Sequence, residues 1–269
     1  MATEIEGLPA GASEAIKDLA KVRDEALEHV CRFCCKHEVK GKPETVRKPE
    51  GPHDVAAYID HTILKADATL GMVRKVCDEA RAHRFATVCV NSGNVTSVAG
   101  LLAGSGVLPI SVVGFPLGAA SPRAKASEAM TAIDDGAREI DTVVNVGLLK
   151  AGEYRAVLRD LIATVEASRP YPVKVIIETC LLSEPEKIAA CALAKAAGAA
   201  FVKTSTGFST GGATADDIRL MRRVVGEELG VKASGGVRTF KDLRAMVAAG
   251  ASRVGSSNSV AIVEESKKA

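Results

Sequence analysis

Two lysines stand in stretches whose neighbours are mostly apolar or small: Lys203 in AAFVKTST and Lys232 in GVKASGG. An ammonium group taken out of water loses its hydration, so its pKa falls unless an anion compensates. A lysine kept neutral in this way is an amine nucleophile that can form a Schiff base with a carbonyl. A second cation nearby depresses one of the pair further. Asp141, in EIDTVVN, is a carboxylate in an equally apolar run and can share a proton with one lysine. Either lysine alone is better explained as a paired core charge or a strand end reaching solvent. The three together point to chemistry, because buried unpaired charge is rarely kept without function.

Two glycine-rich segments supply a second component, SGGVRT (Ser234–Thr239) and GSSNS (Gly255–Ser259). The bare backbone N–H groups of Gly235 and Gly236, with the hydroxyls and an expected helix start at Ser256 and Ser257, could cradle a dianionic phosphate. The alternative is a pair of ordinary turns. No G-x-x-x-x-G-K-[ST] and no strand-anchored G-x-G-x-x-G occurs, which removes support for a nucleotide site.

These residues need a frame. Strand-like runs fall at 58–63, 87–91, 110–115, 139–145, 173–179, 200–205, 231–234 and 253–256. Helix-periodic, Ala-rich segments fall between them at 69–83, 94–103, 122–136, 153–168, 184–197, 214–228, 239–249 and 257–265. Strands that read as continuous apolar runs are buried on both faces, as in a parallel sheet. DDGAREID, AAGAAFVK and AAGASRVG repeat one design, in which Gly136, Gly198 or Gly250 closes a helix in the left-handed region before a buried strand. Eight βα units within a length near the typical ~250 residues give an α/β TIM (β/α)8 barrel, with an open doubly wound sheet as the rival. A barrel places reacting groups at the C-terminal strand ends, and phosphate at the loops after strands 7 and 8.

Residues 13–37 read as a helix with Ser13 as N-cap, and residues 38–54 as a Lys-, Glu-, Pro- and Gly-rich linker. The expected division is therefore an N-terminal helical extension and linker over 1–52 and the barrel over 53–269. The charge-free stretch Phe85–Pro122 is broken by six glycines and two prolines before it ends, so it reads as two buried strands around a short helix, not a membrane span. With 35 basic against 33 acidic residues, a net charge of +2 and nine aromatics, nothing suggests nucleic acid or an anionic membrane as partner. Seven cysteines, an odd number, and an acidic start without an apolar core predict reduced thiols in the cytoplasm. Cys31, Cys34, Cys35 and His37 lack a second ligand pair and read as helix-face residues, so no metal is expected. Cys89 reads as packing and His61 as a hydrogen-bonding residue of the first strand.

IDHTILK, VCVN, VVGFPLG, EIDTVVNVG, KVIIETCLL, FVKTSTGF, KASGGVRT and GSS, spread over about 200 of the 269 residues, resemble the deoxyribose-phosphate aldolase family. FVKTSTG followed about thirty residues later by KASGGVRT is the most specific part. These class I aldolases reversibly cleave 2-deoxy-D-ribose 5-phosphate to acetaldehyde and glyceraldehyde 3-phosphate, without a cofactor. The resemblance implies that Lys203 forms the imine, Lys232 tunes it and Asp141 relays protons. It also implies that Asp60 and Thr62 line the substrate site with Thr206, and that Gly207, Gly235, Gly236, Ser256 and Ser257 contact phosphate. Some relatives end in a tail with a terminal tyrosine; here no aromatic follows Phe240. A homo-oligomer, dimer or tetramer, is expected. Rival functions are another Schiff-base aldolase or transaldolase, and a phosphosugar-binding barrel without turnover.

Overall fold

The computed structural model of the chain describes residues 5–34, 49, 51 and 54–269, with backbone alone for 28–34. The eight apolar runs become eight parallel strands: β1 Ile59–Thr62, β2 Thr87–Asn91, β3 Leu108–Val113, β4 Glu139–Val143, β5 Val173–Ile176, β6 Phe201–Lys203, β7 Gly230–Ser234 and β8 Arg253–Ser256. They follow one another in sequence order and close, β1 pairing with β8 through Ile59 and Val254. Closure rules out the open doubly wound sheet.

The barrel is wrapped by α3 Leu70–His83, α4 Val95–Leu102, α5 Pro122–Asp134, α6 Val146–Lys150, α7 Tyr154–Ser168, α8 Glu184–Ala196, α9 Ala215–Val225, α10 Phe240–Ala248 and α11 Ser259–Ser266. Alternate strand residues, among them Val88, Val90, Ile140, Val175, Val202, Val231 and Val254, join the helices in one buried core. Inside the barrel, Cys89, Ile110 and Val112 form a small apolar cluster with Leu64 and Phe115. Other inward positions carry charge, among them Asp60, Glu139, Asp141, Lys174, Lys203, Lys232 and Arg253. Gly136, Gly198 and Gly250 hold φ of 113°, 84° and 112°, the left-handed closures that their repeated phrases predict.

The helix expected over 13–37 is two helices, α1 Ala10–Lys17 and α2 Leu19–Cys34. They part at Asp18, whose carboxylate accepts from Arg155 Nη1 at 3.0 Å on α7. Glu25 takes the same guanidinium at 2.7 Å, and Ala12, Ala15, Val22 and Ala26 are buried in the common core. The short helix α6 was not expected; the Asn145 side chain caps it by accepting from Leu148 N at 3.1 Å. Strand β3 begins two residues before the pattern, since Leu108 and Pro109 still pair with Thr87 and Val88. Helix α11 begins at Ser259, not at residue 257, so Ser256 and Ser257 lead into it from the strand end. Of the Cys31, Cys34, Cys35 and His37 group, Cys35 and His37 lie outside the described residues, as do the side chains of Cys31 and Cys34.

Candidate active site

Lys203 is the last residue of β6 and Lys232 lies beside it in register on β7. Both side chains point into the barrel, where they meet one oxygen of Asp141. Asp141 Oδ2 accepts from Lys203 Nζ and from Lys232 Nζ, each at 2.8 Å. Lys232 Nζ also lies 2.5 Å from Asp60 Oδ2. Lys203 is 2% exposed, and the other three are 0% exposed. The three groups expected to act together are therefore in direct contact, although they come from β4, β6 and β7.

Their surroundings pull the two lysines apart. Burial pushes the Lys203 ammonium below the usual lysine range; Asp141 opposes this, and the neighbouring Lys232 reinforces it. Burial works against the charge of Lys232 as well, but Asp141 and Asp60 outweigh it and hold that ammonium above its ordinary value. Asp141 stays well below the carboxylate range: burial opposes its charge, and Lys174, Lys203 and Lys232 overcome that opposition. The same surroundings thus favour the neutral, nucleophilic form of Lys203 and the charged form of Lys232.

A cleft of about 660 Å³ opens at the C-terminal ends of the strands, as the barrel frame requires. Its wall includes Lys203, while Lys232 and Asp141 lie beneath it. Thr62, Thr206, Gly207, Gly235, Gly236, Ser256 and Ser257 are on the same wall. Asp60, implied as a lining residue, is not: it is buried under the cleft, its Oδ1 accepting from Thr87 Oγ1 at 2.6 Å and Arg253 Nη1 at 2.7 Å. Gly207, Gly235 and Gly236 have φ of 84°, 82° and 81°, so their N–H groups sit on left-handed backbone that leaves room for an anion. The Ser256 hydroxyl is already engaged, donating to Val237 O at 2.8 Å and accepting from Asn258 N at 3.0 Å. Ser257 is exposed.

The sequence reading passed over several groups. Lys174 on β5, Glu139 on β4 and Arg253 on β8 are buried charges at inward positions, Lys174 in an apolar run of the kind that singled out Lys203. Glu178, at φ 56° and ψ 66°, ends the β5 segment in the left-handed region. Its carboxylate accepts from the Thr206 hydroxyl and, at 3.3 Å, from Thr206 N, pinning the loop that follows Lys203. A strained non-glycine residue held by such bonds fixes a loop at a site. His61 does bond as expected, to Glu79 Oε2 at 2.8 Å and Ser259 Oγ at 2.9 Å. Cys89 is wholly buried, and burial pushes its thiol up to about 11, which fits packing and not attack.

A parallel eight-stranded barrel whose open end carries a buried lysine, its charge disfavoured, beside a carboxylate and a second lysine defines a lysine-dependent, class I aldolase. Comparison with known proteins agrees. Residues 54–260 match the DeoC/LacD family aldolases. The deoxyribose-phosphate aldolase of Alkaliphilus oremlandii is 55% identical over 215 residues, covering 80% of this chain and 97% of that protein. The enzyme of the same name from Streptococcus uberis is 56% identical over 206 residues, 77% of this chain and 94% of its own. Among solved structures, a tetrameric deoxyribose phosphate aldolase from Aeropyrum pernix superposes with a TM-score of 0.76 at 30% identity, covering 92% of this chain and 97% of its own. The chain belongs to the DeoC/LacD aldolase family.

Proposed function

We propose that the chain is a deoxyribose-phosphate aldolase, which reversibly cleaves 2-deoxy-D-ribose 5-phosphate to D-glyceraldehyde 3-phosphate and acetaldehyde. The observation that carries this is the Lys203 amine: buried so that its charge is disfavoured, on the cleft wall, and on the same wall as the glycine cradle. Its lone pair attacks the C1 aldehyde carbon of the open-chain sugar. The carbonyl oxygen takes up protons and leaves as water, giving an iminium. The C3 hydroxyl then gives up its proton, the C2–C3 bond breaks, and its electron pair moves into the enamine while glyceraldehyde 3-phosphate departs. Protonation at C2 and addition of the water equivalent release acetaldehyde and the free amine. The iminium is itself the electron sink, so this route calls for no cofactor.

Asp141 is assigned the proton relay, since Oδ2 lies 2.8 Å from both nitrogens, and Lys232 the role of a fixed cation. Thr62 and Thr206 are assigned to the sugar, with Gly207, Gly235, Gly236, Ser256 and Ser257 at the phosphate. Asp60, beneath the cleft, acts through Lys232. Borohydride reduction in the presence of 2-deoxyribose 5-phosphate, followed by peptide mass spectrometry, tests the function. A reduced adduct on Lys203 is expected; cleavage without any adduct there would refute the assignment.

The cradle makes a second, separable prediction. A Cβ on Gly212 would lie 2.3 Å from the Gly235 carbonyl oxygen, a contact with backbone that cannot swing away. Gly212→Ala is expected to displace Gly235 and raise KM for the phosphorylated sugar about tenfold, the loss of one charge-assisted hydrogen bond, with kcat within about threefold. Steady-state kinetics decide it.

We also propose a division into residues 1–52 and 53–269, supported by a family match confined to 54–260. A homo-oligomer is proposed on the strength of the Aeropyrum pernix tetramer, and light scattering tests it. A cytoplasmic setting is proposed from the unpaired thiols of Cys77, Cys89, Cys180 and Cys191. Among the described residues no helix is long and apolar enough to cross a membrane.

A further inference from the structure

Lys174, Glu139 and Arg253 do not touch the cleft, yet they are linked to it without a break. Lys174 Nζ donates to Asp141 Oδ1 at 3.1 Å, the oxygen that Lys203 and Lys232 leave unused. It also pairs with Glu139, whose Oε2 lies 3.6 Å from Arg253 Nη1. Arg253 reaches Asp60 at 2.7 Å, Asp60 reaches Lys232 at 2.5 Å, and Lys232 returns to Asp141 at 2.8 Å. Six buried charges of alternating sign thus form a closed ring: Asp141, Lys174, Glu139, Arg253, Asp60, Lys232. Three cations meet three carboxylates, and each sits between two of opposite sign. Lys203 hangs on Asp141 outside the ring and, alone of these seven groups, lines the cleft.

We infer that this ring, and not Lys232 alone, keeps the Lys203 amine uncharged, with Lys174, Glu139 and Arg253 acting as positioning residues through Asp141. A neutral ring in a dry interior offers no counter-charge for a seventh group, so a charged Lys203 would leave one uncompensated cation. Every ring cation is held by two carboxylates, whereas Lys203 has a part share of one oxygen. It is the group that gives up its proton. The other elements add no charge: β2 contributes the protonated Cys89 thiol, and β3 the apolar Ile110 and Val112.

The inference rests on Lys203 as the imine lysine but is tested apart from it. The Lys203 amine is titrated directly in the purified full-length protein, from its rate of acetylation by trace acetic anhydride as a function of pH, read by mass spectrometry. Lys174→Met leaves the ring one cation short, so Lys203 fills the place and its titration moves up by at least about one pH unit. Glu139→Gln leaves the ring one carboxylate short and moves it down. The double variant removes one charge of each sign and returns the midpoint to within about 0.5 unit of the unaltered protein. Borohydride trapping run alongside reports on the aldolase reaction itself. A Lys203 midpoint that stays put in both single variants, or moves up in Glu139→Gln, overturns the ring even if trapping succeeds. Should Lys174→Met fail to fold, the nearly isosteric Glu139→Gln and the charge-balanced double variant carry the test.

Discussion

Lys203→Leu is expected to abolish cleavage of 2-deoxyribose 5-phosphate, with kcat/KM falling by at least about 10⁴-fold, while the protein stays folded. Both halves follow from one geometry. The amine is the nucleophile on the cleft wall, and the other buried lysines cannot replace it: Lys232 lies beneath the cleft between two carboxylates, and Lys174 lies between Asp141 and Glu139. Both are held as cations. Removing the Lys203 amine takes no member from the ring and leaves no uncompensated charge, since Asp141 keeps Lys174 and Lys232, so leucine is tolerated at little cost. Circular dichroism and a melting temperature within a few degrees of the unaltered protein check the fold, and the product assay checks the chemistry. Measurable turnover would refute the nucleophile; unfolding would refute the claim that Lys203 stands outside the charge balance.

Asp141→Asn separates the same two properties in the opposite way. The amide keeps the shape but gives up the charge that Lys174, Lys203 and Lys232 share. Breaking a buried ion network by removing one partner costs about 3–5 kcal/mol: Lys174 keeps Glu139 and Lys232 keeps Asp60, but one desolvated positive charge is left without a counter-charge. Loss of the proton relay lowers kcat by about 10³-fold. The pH dependence follows from the depressed carboxyl of Asp141. Its contribution to stability is fully present above the unfolded-state pKa of about 3.9 and is lost as pH falls towards the folded-state value. Denaturant unfolding should therefore show the variant less stable by a constant amount from neutral pH down to about pH 4, the difference shrinking only in stronger acid. A difference that closed well above that pH would show that Asp141 is not held ionised by the lysines.

The eight strands, the eight helices that follow them and their order were legible in the chain itself, whereas α6 and the break between α1 and α2 were not. Eight apolar runs alternate with eight helix-periodic segments, and Gly136, Gly198 and Gly250 mark where helix gives way to strand, because hydrophobic periodicity and left-handed glycine are local properties. The same local logic exposed Lys203, Lys232 and Asp141: a charge amid valines and isoleucines is conspicuous wherever the fold puts it. Lys174 sits in an equally apolar run and carried the same signal, Glu139 and Arg253 carried it more weakly beside Arg138 and Ser252, and nothing local says that their side chains meet. That depends on closure. Only when β8 pairs with β1 does Arg253 become the neighbour of Asp60, and only the pairing of β4, β5, β6 and β7 brings three lysines to the two oxygens of one aspartate. Closure also demoted Asp60 from the cleft wall to the layer beneath it. Residue types and spacing therefore determined which groups could act, while the tertiary structure decided which lysine keeps its proton. Coulomb interactions and desolvation depend on distance through space, and a linear chain does not contain that distance.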